Sequence, residues 1–425
     1  MIDNLDVILW DAKVGTLVSA ANSYSREICF YFNPDFVRNG YDIAPLRAPL
    51  NGVVAQKGLP VYPDSDKIFC GLPSFIADSM PDHWGNVVFR EWAKANNLKS
   101  KDISSLDRLA YIGKRGMGAF EFEPSIGTNF DTPFKVEIAE LSKLAQMALN
   151  EAKGFKTILS LDLVLENLFK VGTSAGGKRP KAVINVNLQS GECYSGQVAT
   201  PLPGYTPMII KFDEHCNTPT TRIEYSYYLM ALDAGLNMMP SQLIKGENET
   251  HFLTERFDRQ GHDKVHVQTL AAMNPLAVSY EDLFDVAQRL GVLAEEMQLL
   301  FCQMVMNVLG ANVDDHSKNF SFTLRKGGYW HIAPMYDYTF TVEDSFYYNR
   351  HSMSINGVNH AITMIDLMAV ARMYNIKGAS AIVDRCIDVV KNYRNYAIKA
   401  EVEDRYIRKI EDEIASRIEA LHNRS

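Results

Sequence analysis

Residues 310–340 read GANVDDHSKNFSFTLRKGGYWHIAPMYDYTF, and this stretch decides how the chain is understood. It crowds Asp314, His316, Lys318 and Asn319 into one short polar turn behind an apolar helical run. Two strand-like runs follow, residues 320–324 and 329–333, joined by a Lys-Gly-Gly turn, and Asp337 lies past the second. Polar groups between apolar strands cost free energy to bury unless they have partners or a task. A carboxylate, an amide shortly after it and a second carboxylate beyond a hairpin suit magnesium and a phosphate. The expectation is a phosphoryl-transfer site.

Upstream, three segments offer partners for it. Residues 171–184, VGTSAGGKRPKAVI, form a loop with Ser174, Gly176, Gly177 and the cations Lys178, Arg179 and Lys181, feeding a strand. Small residues let backbone N–H groups approach an anion, and the cations add charge. No GK[ST] opens a helix here, so this is not a Walker loop; an exposed turn is the competing reading. Residues 207–212, PMIIKF, read as a strand with Lys211 at its end. That lysine is either an edge residue facing solvent or one reaching inward to phosphates. Residues 220–234 read as a helix capped by Thr220 or Thr221, with Glu224 in its first turn and Gly235 near its stop. Glu224 either pairs with Lys211 or favours the helix dipole.

The remaining chain frames these segments. Residues 5–10, 15–18 and 27–32 predict a small antiparallel sheet, and residues 81–92 a helix start. Gly113, Gly116 and Gly118 precede a strand at 119–122. A dinucleotide fingerprint has its glycines between a strand and a helix, in that order, so a structural turn is favoured over a cofactor loop. Helices are expected over 136–152 and 159–169, then a strand over 251–257 and helices over 280–290, 295–309, 365–374, 379–394 and 401–422. Net charge is −8, so the chain as a whole is not expected to be a basic nucleic-acid binder, with a local basic patch left open. The six cysteines include no CxxC pair, which argues against a zinc site or a disulfide framework and fits a reducing cytoplasm. No apolar run is long enough to span a membrane.

A Gly-containing loop, a strand ending in lysine, a helix with an early glutamate and a helical half with an Asp–Asn–Asp set follow the protein-kinase order. VGTSAGGKRPKAVI, IIKFD, LTERFDR, NVDDHSKNFSF, APMYDYTF and MSING together resemble the HipA family of serine/threonine kinase toxins from bacterial toxin–antitoxin pairs. GLPSFIADSMPDHWGN and LDRLAYIGKRGMGAFEFEP extend the resemblance towards the N-terminus. It implies an α+β, protein-kinase-like two-lobed fold: an N-terminal β-rich subdomain over 1–125, a kinase-like N-lobe over 126–260 and a helical C-lobe over 261–425.

The resemblance also implies roles. Asp314 is the base that accepts the substrate hydroxyl proton, and Asn319 and Asp337 are magnesium ligands. Lys211 holds the phosphates of ATP, and Glu255, Arg256 and Phe257 form the hinge for adenine. Gly176, Gly177, Lys178, Arg179 and Lys181 lie on the phosphate side, with His316, Lys318 and Tyr336 near the nucleotide. Ser174 is the position of self-phosphorylation. Implied partners are a protein substrate, an aminoacyl-tRNA synthetase in the best-known members, and a helix-turn-helix antitoxin through which DNA is reached. The chain departs from many relatives at Thr269, where they carry an acidic residue, and at Asp315, where they often have a small one. Two further functions stand beside this one: an antitoxin- and DNA-binding module with little activity, and a small-molecule kinase. A metal hydrolase is disfavoured by the scattered histidines.

Overall fold

The computed structural model describes residues 2–21, 26–81, 85–86, 89, 93, 103–126, 133–152, 179–196, 202–213, 218–246, 249–261, 263–341 and 349–422. The expected helices over 81–92 and 159–169 fall largely or wholly outside them, as do Ser174, Gly176, Gly177 and Lys178.

Strand β1 (Asn4–Leu9) alternates, burying Leu5, Val7 and Leu9. It pairs antiparallel with β2 (Ala12–Ala21), which pairs with β3 (Arg26–Phe32). The other edge of β1 is taken by β4 (Phe120–Glu123), which completes a four-stranded sheet. Helix Ser105–Ile112, closed by a Ser104/Asp107 capping box, packs beneath it.

A second, five-stranded antiparallel sheet has the order β6-β5-β7-β9-β8. Its strands are β5 (Lys181–Val186), β6 (Cys193–Ser195), β7 (Thr206–Lys211), β8 (Ser241–Lys245) and β9 (Thr250–Glu255). Every residue of β5 is buried, and helix Ile138–Ala152 contributes Leu141 and Ala145 to the core on one face. Helix Thr220–Asp233 packs between this sheet and the largest core, to which it gives Ile223, Tyr227 and Met230.

After the short hairpin β10 (Arg259–Gln260) and β11 (Asp263–Lys264), strand β12 (His266–Thr269) joins β13 (Ser321–Leu324) and β14 (Trp330–Ile332) in a three-stranded sheet. The rest of the C-terminal half is helical. Helix Ala294–Leu309 is buried at every position from Leu300 onward, as expected of a helix at the centre of a core. The helix expected over 379–394 breaks at Asn392 into Ala379–Lys391 and Tyr393–Lys399, and the last helix runs Asp404–His422.

The glycine turn expected to be structural joins the two halves. Gly118 has φ +73°, and a Cβ there would lie 3.3 Å from Val267 N. Its N–H donates to Asp258 Oδ2 at 2.7 Å, while Arg259 donates to the carbonyls of Gly116 and Gly118. None of the helices among the described residues is long and apolar enough to cross a membrane.

Candidate active site

Strand β7 lies in the middle of its sheet, between β5 and β9, so Lys211 is not on an edge. In the antiparallel register Lys211 stands opposite Lys181, which puts both lysines on one face. Two like charges side by side are unfavourable without counter-charge, and carboxylates from two distant segments supply it. The Lys211 ammonium donates to Glu224 of the Thr220–Asp233 helix and to Asp337. Lys211 therefore faces inward rather than solvent.

Glu224 pairs with it; the dipole reading fails for a geometric reason. The residue before the helix is Pro219, and neither threonine caps it with a side-chain hydrogen bond. Thr221 instead donates its hydroxyl to the Thr250 carbonyl at 2.5 Å. Glu224 thus lies in the second turn, past the reach of the terminal partial charge, with its side chain 6% exposed. Arg179 approaches its other oxygen at 4.0 Å.

The charges tune one another. Burial acts to lower the Lys211 pKa, but the Asp337 and Glu224 carboxylates outweigh it and hold the ammonium above its ordinary value. Burial acts to raise the Asp337 pKa, yet Lys211, then Lys181 and Arg179, hold that carboxyl well below the usual range. Asp337 has φ +50°, a left-handed conformation that is uncommon outside glycine but several-fold enriched for Asp.

The polar turn after helix Ala294–Leu309 is held by its backbone. Gly310 permits it: a Cβ there would meet the Tyr338 hydroxyl at 2.5 Å and the Met306 carbonyl at 2.8 Å. Thr341 Oγ1 accepts hydrogen bonds from the N–H groups of Val313 and Asp314, at 2.7 and 3.2 Å. Asn319 donates its Nδ2 to the Asp314 carbonyl at 2.7 Å. That leaves the Asn319 amide oxygen as the group to offer elsewhere. The Asp314 side chain is 58% exposed, with His316 Nε2 3.9 Å from it. His316 Nδ1 accepts from the Lys318 N–H at 3.3 Å, which closes the turn.

Phe257 and Tyr336 stack with centroids 5.7 Å apart, and the Tyr336 hydroxyl donates to the Lys318 carbonyl at 2.8 Å. Glu255 is half-buried at the end of β9, and burial raises its pKa. Arg256 lies on the same segment. Its guanidinium turns inward and binds Asp258 through two hydrogen bonds of 2.9 and 2.8 Å, and its N–H donates to the Pro207 carbonyl.

Asp78 was not singled out from the sequence. From the N-terminal half, its carboxylate accepts from the Thr269 N–H at 2.6 Å and the Thr269 hydroxyl at 2.9 Å. The acid absent at position 269 thus has a carboxylate beside it from another part of the chain. No local pattern around residue 78 announces this.

Two family models match the chain: a HipA N-terminal domain over residues 5–123 and a HipA-like C-terminal domain over residues 173–419. The second alone spans more than half of the sequence. Among solved structures, HipA of Shewanella oneidensis MR-1, determined with HipB and its operator DNA, superposes with a TM-score of 0.65. It is 16% identical, and the match covers 98% of this chain and 97% of that one. The Helicobacter pylori proinflammatory kinase CtkA gives a TM-score of 0.37 at 11% identity, over 52% of this chain and 90% of that one, too slight a likeness to weigh. The fold mixes helix and sheet in the α+β manner expected, and with both domains matched the chain belongs to the HipA family.

Proposed function

We propose that the chain is a HipA-type toxin kinase that transfers the γ-phosphate of ATP to a serine or threonine hydroxyl of a protein. One observation carries the reading: Lys211, Glu224 and Asp337, from three separate elements, meet in one ion-paired cluster, while Asn319 is tied to the neighbouring Asp314 turn through Nδ2, its amide oxygen bonding nothing among the described residues. Phosphoryl transfer asks a protein for position and charge more than for covalent chemistry. Lys211 and Lys181 supply positive charge for phosphates, and Asp314, exposed to solvent, is free to accept the acceptor proton. The Asn319 amide oxygen and the Asp337 carboxylate are the hard oxygen donors that magnesium takes, and such an ion would neutralise phosphate charge. Phe257 and Tyr336 offer an aromatic face for the base.

The partners follow the same reading. A HipB-like helix-turn-helix antitoxin, with DNA reached through it, fits the assembly in which the Shewanella oneidensis protein was solved. We place the activity in the cytoplasm, and Ser174 as the site of self-phosphorylation. The test is transfer of labelled phosphate from ATP and magnesium to protein in cell extract. The wild-type chain is expected to label protein, and Asp314→Ala or Asp337→Ala to lower the rate by about 10²- to 10⁴-fold. Wild-type rates in either variant, or label only in small metabolites, would overturn the reading. Mapping phosphate on the active chain tests Ser174 separately.

A further inference from the structure

Asp315, next to the proposed base, is fully buried, with a side-chain exposure of 0%. A carboxylate in such a place persists only with hydrogen-bond donors around it. Three are present. The Tyr280 hydroxyl donates to Oδ2 at 2.7 Å, His351 Nδ1 meets the same oxygen at 2.7 Å, and the Ser352 N–H donates to Oδ1 at 2.8 Å. They come from the start of helix Tyr280–Arg289 and from the segment HSMSING, which also grips the turn by donating the Ser352 hydroxyl to the Val313 carbonyl at 3.1 Å.

The second layer is also polar and ordered. The Asn307 amide donates to the Tyr280 oxygen at 2.9 Å and accepts from the Asn312 amide at 2.9 Å. His351 Nε2 faces the Arg417 guanidinium at 3.4 Å. A guanidinium can only donate, so Nε2 is the acceptor and Nδ1 carries the proton to Asp315. The orientation of the imidazole is therefore set from both sides.

We propose that Asp315 is a positioning residue for Asp314, with Tyr280, His351 and Ser352 as its anchors. The proposal rests on the kinase reading above. Asp314 is bracketed at its N–H by Thr341 and at its carbonyl by Asn319. Asp315, inward-facing and triply bonded, fixes the peptide that follows and so turns the Asp314 carboxylate outward. Catalytic geometry is steep in distance: a displacement of about 1 Å can cost about 10²-fold in rate.

The test measures kcat and KM for ATP with the full-length chain. Asp315→Asn is expected to lower kcat by about tenfold or more, while KM for ATP stays within about twofold. Added to Asp314→Ala, it is expected to lower the residual rate no further, because a group acting through Asp314 has nothing left to position. A general loss of folding would instead lower both rates alike. If Asp315→Asn does not fold, Tyr280→Phe removes one donor and keeps the ring; it is expected to lower kcat by about threefold or more and to show the same non-additivity. Unchanged kcat in the variant that folds, or equal losses with and without Asp314, overturns the proposal. An active wild type with an unaffected Asp315→Asn removes this proposal alone; a wild type that transfers nothing removes the kinase reading and this proposal with it.

Discussion

Lys211 lies on a central strand, faces Lys181 across the register, and is paired with carboxylates from a helix and from the segment after a distant hairpin. Removing its ammonium leaves Glu224 and Asp337 without their shared donor. Lys211→Met is therefore expected to lower phosphate transfer by about 10²-fold or more, the scale seen when one preorganised donor to a reacting group is lost. The same change is expected to cost about 1–3 kcal/mol of stability, since two acceptors lose a partner. Parallel assays of labelled phosphate and of thermal melting check both. The sequence placed Lys211 at the end of an apolar strand but could not say which way it faced. That depends on whether β7 is central, and strand order is a property of the sheet.

At the scale of elements, the segment after β9 is braced from the N-terminal part of the chain. Asp258 is fully buried between Arg256 and Arg259 and also accepts from Gly118. Burial acts to raise its pKa, but the two guanidinium groups reverse this and hold the carboxyl well below the ordinary range. A depressed carboxylate contributes stability above its unfolded pKa, near 4, and loses it as pH falls towards the folded value. Asp258→Asn is expected to cost about 3–5 kcal/mol at neutral pH, as breaking a buried pair does. Its denaturation midpoint should also depend less on pH below about 4 than that of the wild type. Chemical denaturation across that range measures both. The segment LTERFDR was legible as the end of a strand, but the role of its charges was not. Their third partner, the glycine turn, is 140 residues away in sequence.

Across the whole molecule, the N-terminal sheet and the C-terminal half share contacts that a single titrating residue reports. His266 packs on Phe120 of β4 at 4.5 Å and on Trp330 of β14 at 5.8 Å, and is 1% exposed. Burial pushes its imidazole down to about 3. The unfolded chain therefore takes up the proton first, at its ordinary pKa of about 6.5. The stability tied to neutral His266 is complete above that pH and is lost at up to about 1.4 kcal/mol per pH unit as pH falls towards 3. Urea unfolding between pH 7 and pH 5, above the range in which Asp258 titrates, should show this slope, and His266→Gln should flatten it. Ser74 donates to the Ala272 carbonyl at 2.8 Å, and Gln268 to that of Ile43 at 2.7 Å, so the same interface is bonded at several points.

The amino-acid sequence by itself determined the elements whose signals are local. Among these are the alternation in β1, the helix behind residue 310, the hairpin that spaces Asn319 from Asp337, and the order of motifs that resembles the HipA family. Hydrophobic period and turn chemistry act over a few residues, so they are written in consecutive positions. Only the tertiary structure decided which charges meet. It joined Lys211 to Asp337, chose Glu224 as a pair rather than a dipole partner, turned Arg256 inward, and brought Asp78 to Thr269 and His351 to Asp315. The physical reason is that a buried charge is stabilised by whatever donor or counter-charge packing brings within hydrogen-bond reach. Packing joins residues far apart in the chain, and no window of neighbouring positions records that.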